Sequence, residues 1–320
     1  MISSHHIFKI ILLVCFSTAS SCSSGPAEKP LPKSISSPTY LLDQGIQQYN
    51  NNDYAKAISI FDKALLQYRS IDNQEGIAKS CLNLAKAYMA INNNETATKY
   101  LTKAETIINQ AALDNLKEHL SLLKSSLAIS QGAYGDATEE LAIVLKSTNT
   151  ATRLAALKNR TNIAFLDKAK DKEEWLSQYK SLQKTNTNQT NSHLARIYRF
   201  DAELSSDETQ QTKLLTQSLE LSRKRADRPA IAATLTQWAA LDSSNERQEN
   251  AEDKYIRALF IRHQTGDVKN SLIILNQLNS IYLKTNNSKQ ARTEKLINEL
   301  SNNNMRQWNT LFSNYDNYPK

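Results

Sequence analysis

NNNDYAKAISIFDKAL, residues 50–65, decides how the rest of the chain is read. Asn50, Asn51, Asn52 and Asp53 are a turn signal, because short amide and carboxylate side chains bond nearby backbone and tolerate left-handed conformations. After them Tyr54, Ala57, Ile58, Phe61, Ala64 and Leu65 recur three and four apart, which lays one apolar stripe along a helix. Before them Tyr40, Leu41, Leu42, Gly45, Ile46 and Tyr49 do the same. The unit is a helix, a turn and a second helix. Gly45, Ala57 and Ala64 let the backbones approach closely, and Phe61 fills the space between them.

The unit returns every forty residues. Gly45, Ala85 and Ser125 form one ladder; Ala57, Ala97 and Ala137 a second; Phe61, Leu101 and Leu141 a third; Ala64, Ala104 and Val144 a fourth. A fixed period in this range means stacked supersecondary units, none able to bury its apolar face alone. The pattern fades after Ala137 and returns at Trp238, Ala239, Ala251, Tyr255, Ala258 and Leu259, then at Leu278, Tyr282 and Ala291. Thr265-Gly266-Asp267 before the last unit parallels Asn73-Gln74-Glu75-Gly76 before the second. The interval has room for two degenerate units, one over residues 159–182 and one over 194–221. Seven units are expected.

This spacing of small residues and aromatics resembles the tetratricopeptide repeat, over nearly all of residues 39–302. Residues 50–65 carry the strongest match. The resemblance implies an all-α, right-handed α-solenoid of about seven helix-turn-helix repeats. A capping helix near Met305 to Phe312 would cover the open end, within a final segment of residues 303–320. The period exceeds the usual thirty-four for the family. The excess falls between units, from Gln67 to Ala78, so longer helices are expected.

Composition agrees. Of six prolines only Pro229 lies between Pro38 and Pro319, and the whole chain has six glycines. A stretch so poor in breakers and rich in Ala, Leu, Lys, Gln and Glu reads as helical throughout. The net charge of +7 is dispersed. The densest basic run, Arg223-Lys224-Arg225, is followed by Asp227 and reads as a solvated helix end, so no nucleic-acid partner is expected.

Residues 1–21 read as an export signal. Lys9 supplies positive charge, Ile10 to Phe16 an apolar run, and Ser17 to Ser21 small residues. The run is too short to span a bilayer. Ala19-Ser20-Ser21-Cys22 resembles a bacterial lipobox, with Ala19 where the family usually has leucine. That resemblance implies acylation of Cys22, and Ser23 implies sorting to the outer membrane. Ordinary cleavage in the same stretch, giving a soluble periplasmic or secreted protein, is the alternative. Residues 22–38 then form a Ser/Pro-rich tether reaching about 50 Å at about 3.1 Å per residue.

Catalytic chemistry is not visible. His119, His193 and His263 lie far apart, and neither HExxH nor CxxC occurs. No Gly-rich loop can cradle a phosphate, and no acid/base pair stands out. Cys81, among leucines, reads as a buried structural thiol. No metal or cofactor is expected, and a helical-repeat hydrolase is the weakest reading. The tetratricopeptide resemblance implies that first helices line a concave face. Tyr49, Lys79, Asn83, Lys86, His119 and Arg160 are then candidates to meet a partner. Lys79 and Asn83 share a helix face, a spacing similar to a groove that clamps a peptide carboxylate. The expected function is a non-enzymatic scaffold or adaptor, lipid-anchored in a bacterial envelope, that holds a protein or peptide partner.

Overall fold

A left-handed residue recurs every twenty positions: Asn52, Asp72, Asn92, Ala112 and Gly132, then Ala226, Glu246, Gly266 and Asn286. This local rule builds the molecule, seen in a computed structural model that describes residues 37–185 and 191–302. Each left-handed residue ends a helix. The next N–H turns back to the carbonyl five residues earlier, as from Asp53 to Gln48, Asn73 to Tyr68 and Asp267 to Arg262. The same residue then caps the following helix. The side chains of Asp53, Asn73 and Asn93 accept from the N–H groups of Lys56, Gly76 and Thr96. A helix of 17 residues and a three-residue turn make twenty. Two of them make the forty-residue period, so the excess length does lie in the helices.

Fourteen helices follow one another among the described residues, as seven consecutive pairs. The first three pairs are α1 (Pro38–Asn50) with α2 (Tyr54–Ser70), α3 (Gln74–Ala90) with α4 (Asn94–Gln110), and α5 (Asp114–Gln131) with α6 (Tyr134–Val144). The middle pairs are α7 (Thr150–Leu166) with α8 (Lys172–Thr185), and α9 (Asn191–Leu204) with α10 (Glu208–Lys224). The last are α11 (Arg228–Ser244) with α12 (Gln248–Gln264), and α13 (Val268–Lys284) with α14 (Gln290–Ser301). Each helix packs on its neighbours in sequence, and first helices also touch across pairs, as α1 on α3, α3 on α5 and α5 on α7. This is an all-α helical repeat solenoid.

The alanine ladder is the seam of the stack. Ala57, Ala97, Ala137 and Ala251 are wholly buried. Phe61 is buried too, and its ring lies where a side chain at Gly45 would stand. Ala291 departs from the ladder and is exposed. Helix α14 begins two residues later than the period demands, after Lys289, so Thr293, Leu296 and Leu300 take the buried positions. The middle units blur for a similar reason. Helices α6, α8 and α9 have 11, 14 and 14 residues, which breaks the twenty-residue phase. Apolar clustering follows suit, with large clusters at both ends and smaller ones between.

Gly76 is not a turn residue, as its place in the turn signal implied. It sits in α3, where a Cβ would stand 2.1 Å from the Tyr68 ring. Gly76→Ala is therefore expected to destabilise the fold by about 1–2 kcal/mol, overpacking outweighing the helix propensity of alanine. Gly135→Ala, with open space around it, is expected to be neutral or stabilising. Urea unfolding of both variants checks the pair, and equal shifts would remove the packing argument.

The leader, the tether with Cys22, and the expected cap at Met305 to Phe312 lie outside the described residues. No helix among the described residues is long and apolar enough to cross a membrane.

Candidate functional site

The solenoid curls until its two ends meet. The Asn52 amide, in the turn of the first pair, donates to the Ala226 carbonyl in the turn between the fifth and sixth pairs, 3.4 Å away. Lys269 of α13 donates to the Ser130 carbonyl at the end of α5. Ile91, after α3, faces Gly266 before α13. The rim carrying the α1–α2, α3–α4 and α5–α6 turns thus rests against the opposite rim of the last pairs. An open concave groove was the sequence expectation. The groove of the amino-terminal half instead has the carboxy-terminal half as its far wall.

Where the halves meet, a cavity of about 730 Å³ opens. The C-terminal ends of α3 and α5, the inner stripe of α7 and the N-terminal ends of α9, α11 and α13 surround it. Its walls carry Lys158, Arg196, Arg199, Arg262 and Lys269, against only Asp227 and Asp267. Both carboxylates are engaged. Asp227 caps α11, accepting from the Ala230 N–H at 3.1 Å. Asp267 caps α13 and pairs with Arg262 at 2.8 Å. Arg199 donates to the Ala230 carbonyl and to the Thr234 hydroxyl, both neutral acceptors, and Asp227 offsets only part of its charge.

Lys158 and Arg196 make no hydrogen bond or ion pair among the described residues. Each is half-buried by area, yet burial pulls both below their ordinary pKa, Lys158 to about 8. The surface they keep therefore faces the cavity rather than bulk water. Burial lowers Arg199 to about 9, and neighbouring Arg196 adds repulsion. His193 is held neutral, at about 4, by burial first and by Lys158 and Arg196 second. Burial pushes Tyr179 up, so its hydroxyl keeps the proton, and it shares a hydrogen bond with His193 Nδ1 at 2.6 Å. The wall is a strongly positive, weakly hydrated surface.

The residues expected at a partner groove fall into three sets. Tyr49, Lys86 and His119 come together beside the cavity. The Lys86 ammonium lies 4.4 Å from the centre of the Tyr49 ring. His119 is lowered by burial and by the charge of Lys86. Lys79 and Asn83 share the Lys86 face of α3, but both are occupied. Lys79 pairs with Glu75 at 2.8 Å, and Asn83 donates to the Lys79 carbonyl. Arg160 does not point inward. Lys158 and Asn162 hold the inner stripe of α7, and two residues of helical rotation carry Arg160 away from it. Its guanidinium lies 4.4 Å from the centre of the Trp175 ring and reaches Asp171.

Sequence reasoning missed Lys158, Arg196 and Arg199. A signal existed: Ala155, Lys158 and Asn162 share one helix face, and His193, Arg196 and Arg199 stand three apart. Cys81 is fully buried, with its thiol pushed up to about 11 by burial, as expected of a structural thiol. Among the described residues no group of three or more His, Cys, Asp or Glu gathers. Comparison with models of protein families and with curated proteins finds no match for this chain.

Proposed function

We propose that the chain is a non-enzymatic binding protein of the tetratricopeptide kind, a scaffold that presents its inner face to an acidic segment of a protein partner. One observation carries this reading. The helices that line the interior bring cations and aromatics together, while each carboxylate of the cavity wall is already committed to a cap or an ion pair. A surface of that kind holds anionic groups. Tyr49, Lys86 and His119 form the part of this face nearest the amino-terminal rim and are the residues proposed to meet the partner.

The envelope location is part of the same proposal and rests on the first 38 residues alone. Cys22 would carry the lipid, and the tether would hold the coil away from the membrane surface.

Two measurements test the reading. A photo-crosslinking side chain at Lys86, in the full chain in its native envelope, is expected to capture one protein. The same probe at exposed Leu66 should capture none. Capture from Leu66 alone would move the partner to the outside of the coil. Fractionation is expected to place the wild type with membranes and Cys22→Ala in the soluble fraction. Both soluble would remove the anchor and leave the soluble peptide-binding alternative.

A further inference from the structure

We propose that the cavity between the two halves of the coil is a binding site for a phosphate-bearing small molecule, a diphosphate or phosphate ester, held by Lys158 and Arg196. This goes beyond scaffolding: it assigns a second, small ligand to a site next to the partner face.

The charge inventory leads to it. Among the described residues, only Arg262 of the five cations on the wall has a carboxylate partner. Lys269 and Arg199 spend donors on neutral oxygens. Lys158 and Arg196 spend none. Arg196 is close enough to lower Lys158, and Lys86 adds to that repulsion; Asp227 offsets only part of the charge at Arg196. Natural interiors rarely retain such a cluster unless an anion completes it.

A lone carboxylate would answer one of these cations and leave the others. A phosphate group brings up to two charges and three or more oxygens into one small volume. It thus meets an ammonium and a forked guanidinium from different helices at once. The site has room for more than the anion, since about 730 Å³ lies within the range of pockets that hold whole small molecules. Amides of Asn92 and Asn162 on the same wall supply donors and acceptors for the body that carries the phosphate. The ligand would touch α7 and α9 directly, with the last pairs as a roof. It would therefore bind a closed coil better than an open one and stabilise it.

The test is calorimetry and thermal unfolding of the full chain with pyrophosphate as the probe. Equal ionic strength is kept with sodium chloride, and a peptide with two acidic residues serves as a second arm. Pyrophosphate is expected to bind and to raise the unfolding midpoint. Lys158→Met and Arg196→Met are each expected to weaken binding tenfold or more, and Lys79→Met to leave it unchanged. Both cavity variants remove an unpaired charge, so they are expected to fold. Circular dichroism checks this, and the wild-type titration stands independently of them. Three results would overturn the proposal: no pyrophosphate binding up to millimolar concentration, binding that both cavity variants leave intact, or binding of the acidic peptide alone. A partner captured at Lys86 in the face of any of these would leave the scaffold reading standing.

Discussion

Asp267→Ala is expected to cost about 3–5 kcal/mol, much of the stability of an ordinary domain. Asp267 does two things at one turn. Its carboxylate accepts from the Asn270 N–H and side-chain amide, closing the first turn of α13. It also pairs at 2.8 Å with Arg262, whose side chain keeps only 11% of its surface. Among the described residues Arg262 makes no second ion pair, and its Nε is buried without a partner. The cap alone is worth about 1 kcal/mol, so most of the loss comes from leaving a buried guanidinium unpaired. Asp267→Asn separates the two contributions, because asparagine caps as well as aspartate. If the ion pair dominates, Asp267→Asn loses most of what Asp267→Ala loses, and Arg262→Met in the same chain restores part of it. A nearly silent Asp267→Asn in urea unfolding would show that the cap was the larger part.

The same turn shows how much of the molecule the sequence displays. Gly266 and Asp267 parallel the pairs at Asn52-Asp53 and Asp72-Asn73, and such pairs are local: one left-handed residue, one cap, and a helix of fixed length. Local rules are written in adjacent residues, so pair number, period and buried alanines could be read directly. Ala291 was misread because a two-residue delay in starting α14 is also local, but nothing in the apolar spacing marks it.

Curling is different. Whether Asn52 meets Ala226, across 174 positions, depends on small rotations accumulated over five pairs, and no short stretch encodes their sum. The site inherits that difficulty. Tyr49, Lys86 and His119 were expected on an inner face from the tetratricopeptide resemblance, which assigns that face to first helices. Arg160 failed because its true partner, Trp175, belongs to the next helix and offers an aromatic face nearer than the interior. Lys79 pairs with Glu75, four residues earlier, a local contact on a half-exposed helix face. Lys158 and Arg196 went unnoticed because much of the wall that encloses them comes from the far end of the chain.

Lys158 carries the second large effect. Its amine is lowered from 10.5 to about 8 in the fold. Each pKa unit corresponds to about 1.4 kcal/mol, so the charged form is disfavoured by about 3 kcal/mol below pH 8. Lys158→Met is therefore expected to stabilise the ligand-free protein by about 1–3 kcal/mol at neutral pH, after allowing for imperfect packing. The pH profile identifies the cause. Between about pH 8 and 10.5 the unfolded chain holds a proton at this lysine that the folded chain has released, so stability rises with pH in that window. The groups that face Lys158 are Lys86 from α3, Arg196 and His193 from α9, and Asp227 from the start of α11. Above pH 10 an opposing slope enters. Burial raises Tyr54 and Tyr255 to about 12, so the unfolded chain loses those protons first and stability falls. Below pH 6.5 the unfolded chain protonates His193 while the folded chain resists until about 4, so stability falls again on the acid side. Lys158→Met shares the tyrosine slope and lacks the rise between pH 8 and 10, and its acid slope is shallower because Lys158 helps hold His193 neutral. The difference between the two unfolding curves therefore isolates the lysine: a gap of about 1–3 kcal/mol at pH 7 that closes by pH 10. A constant gap would assign the gain to packing and take away the argument that this cation is held, unpaired, for an anion.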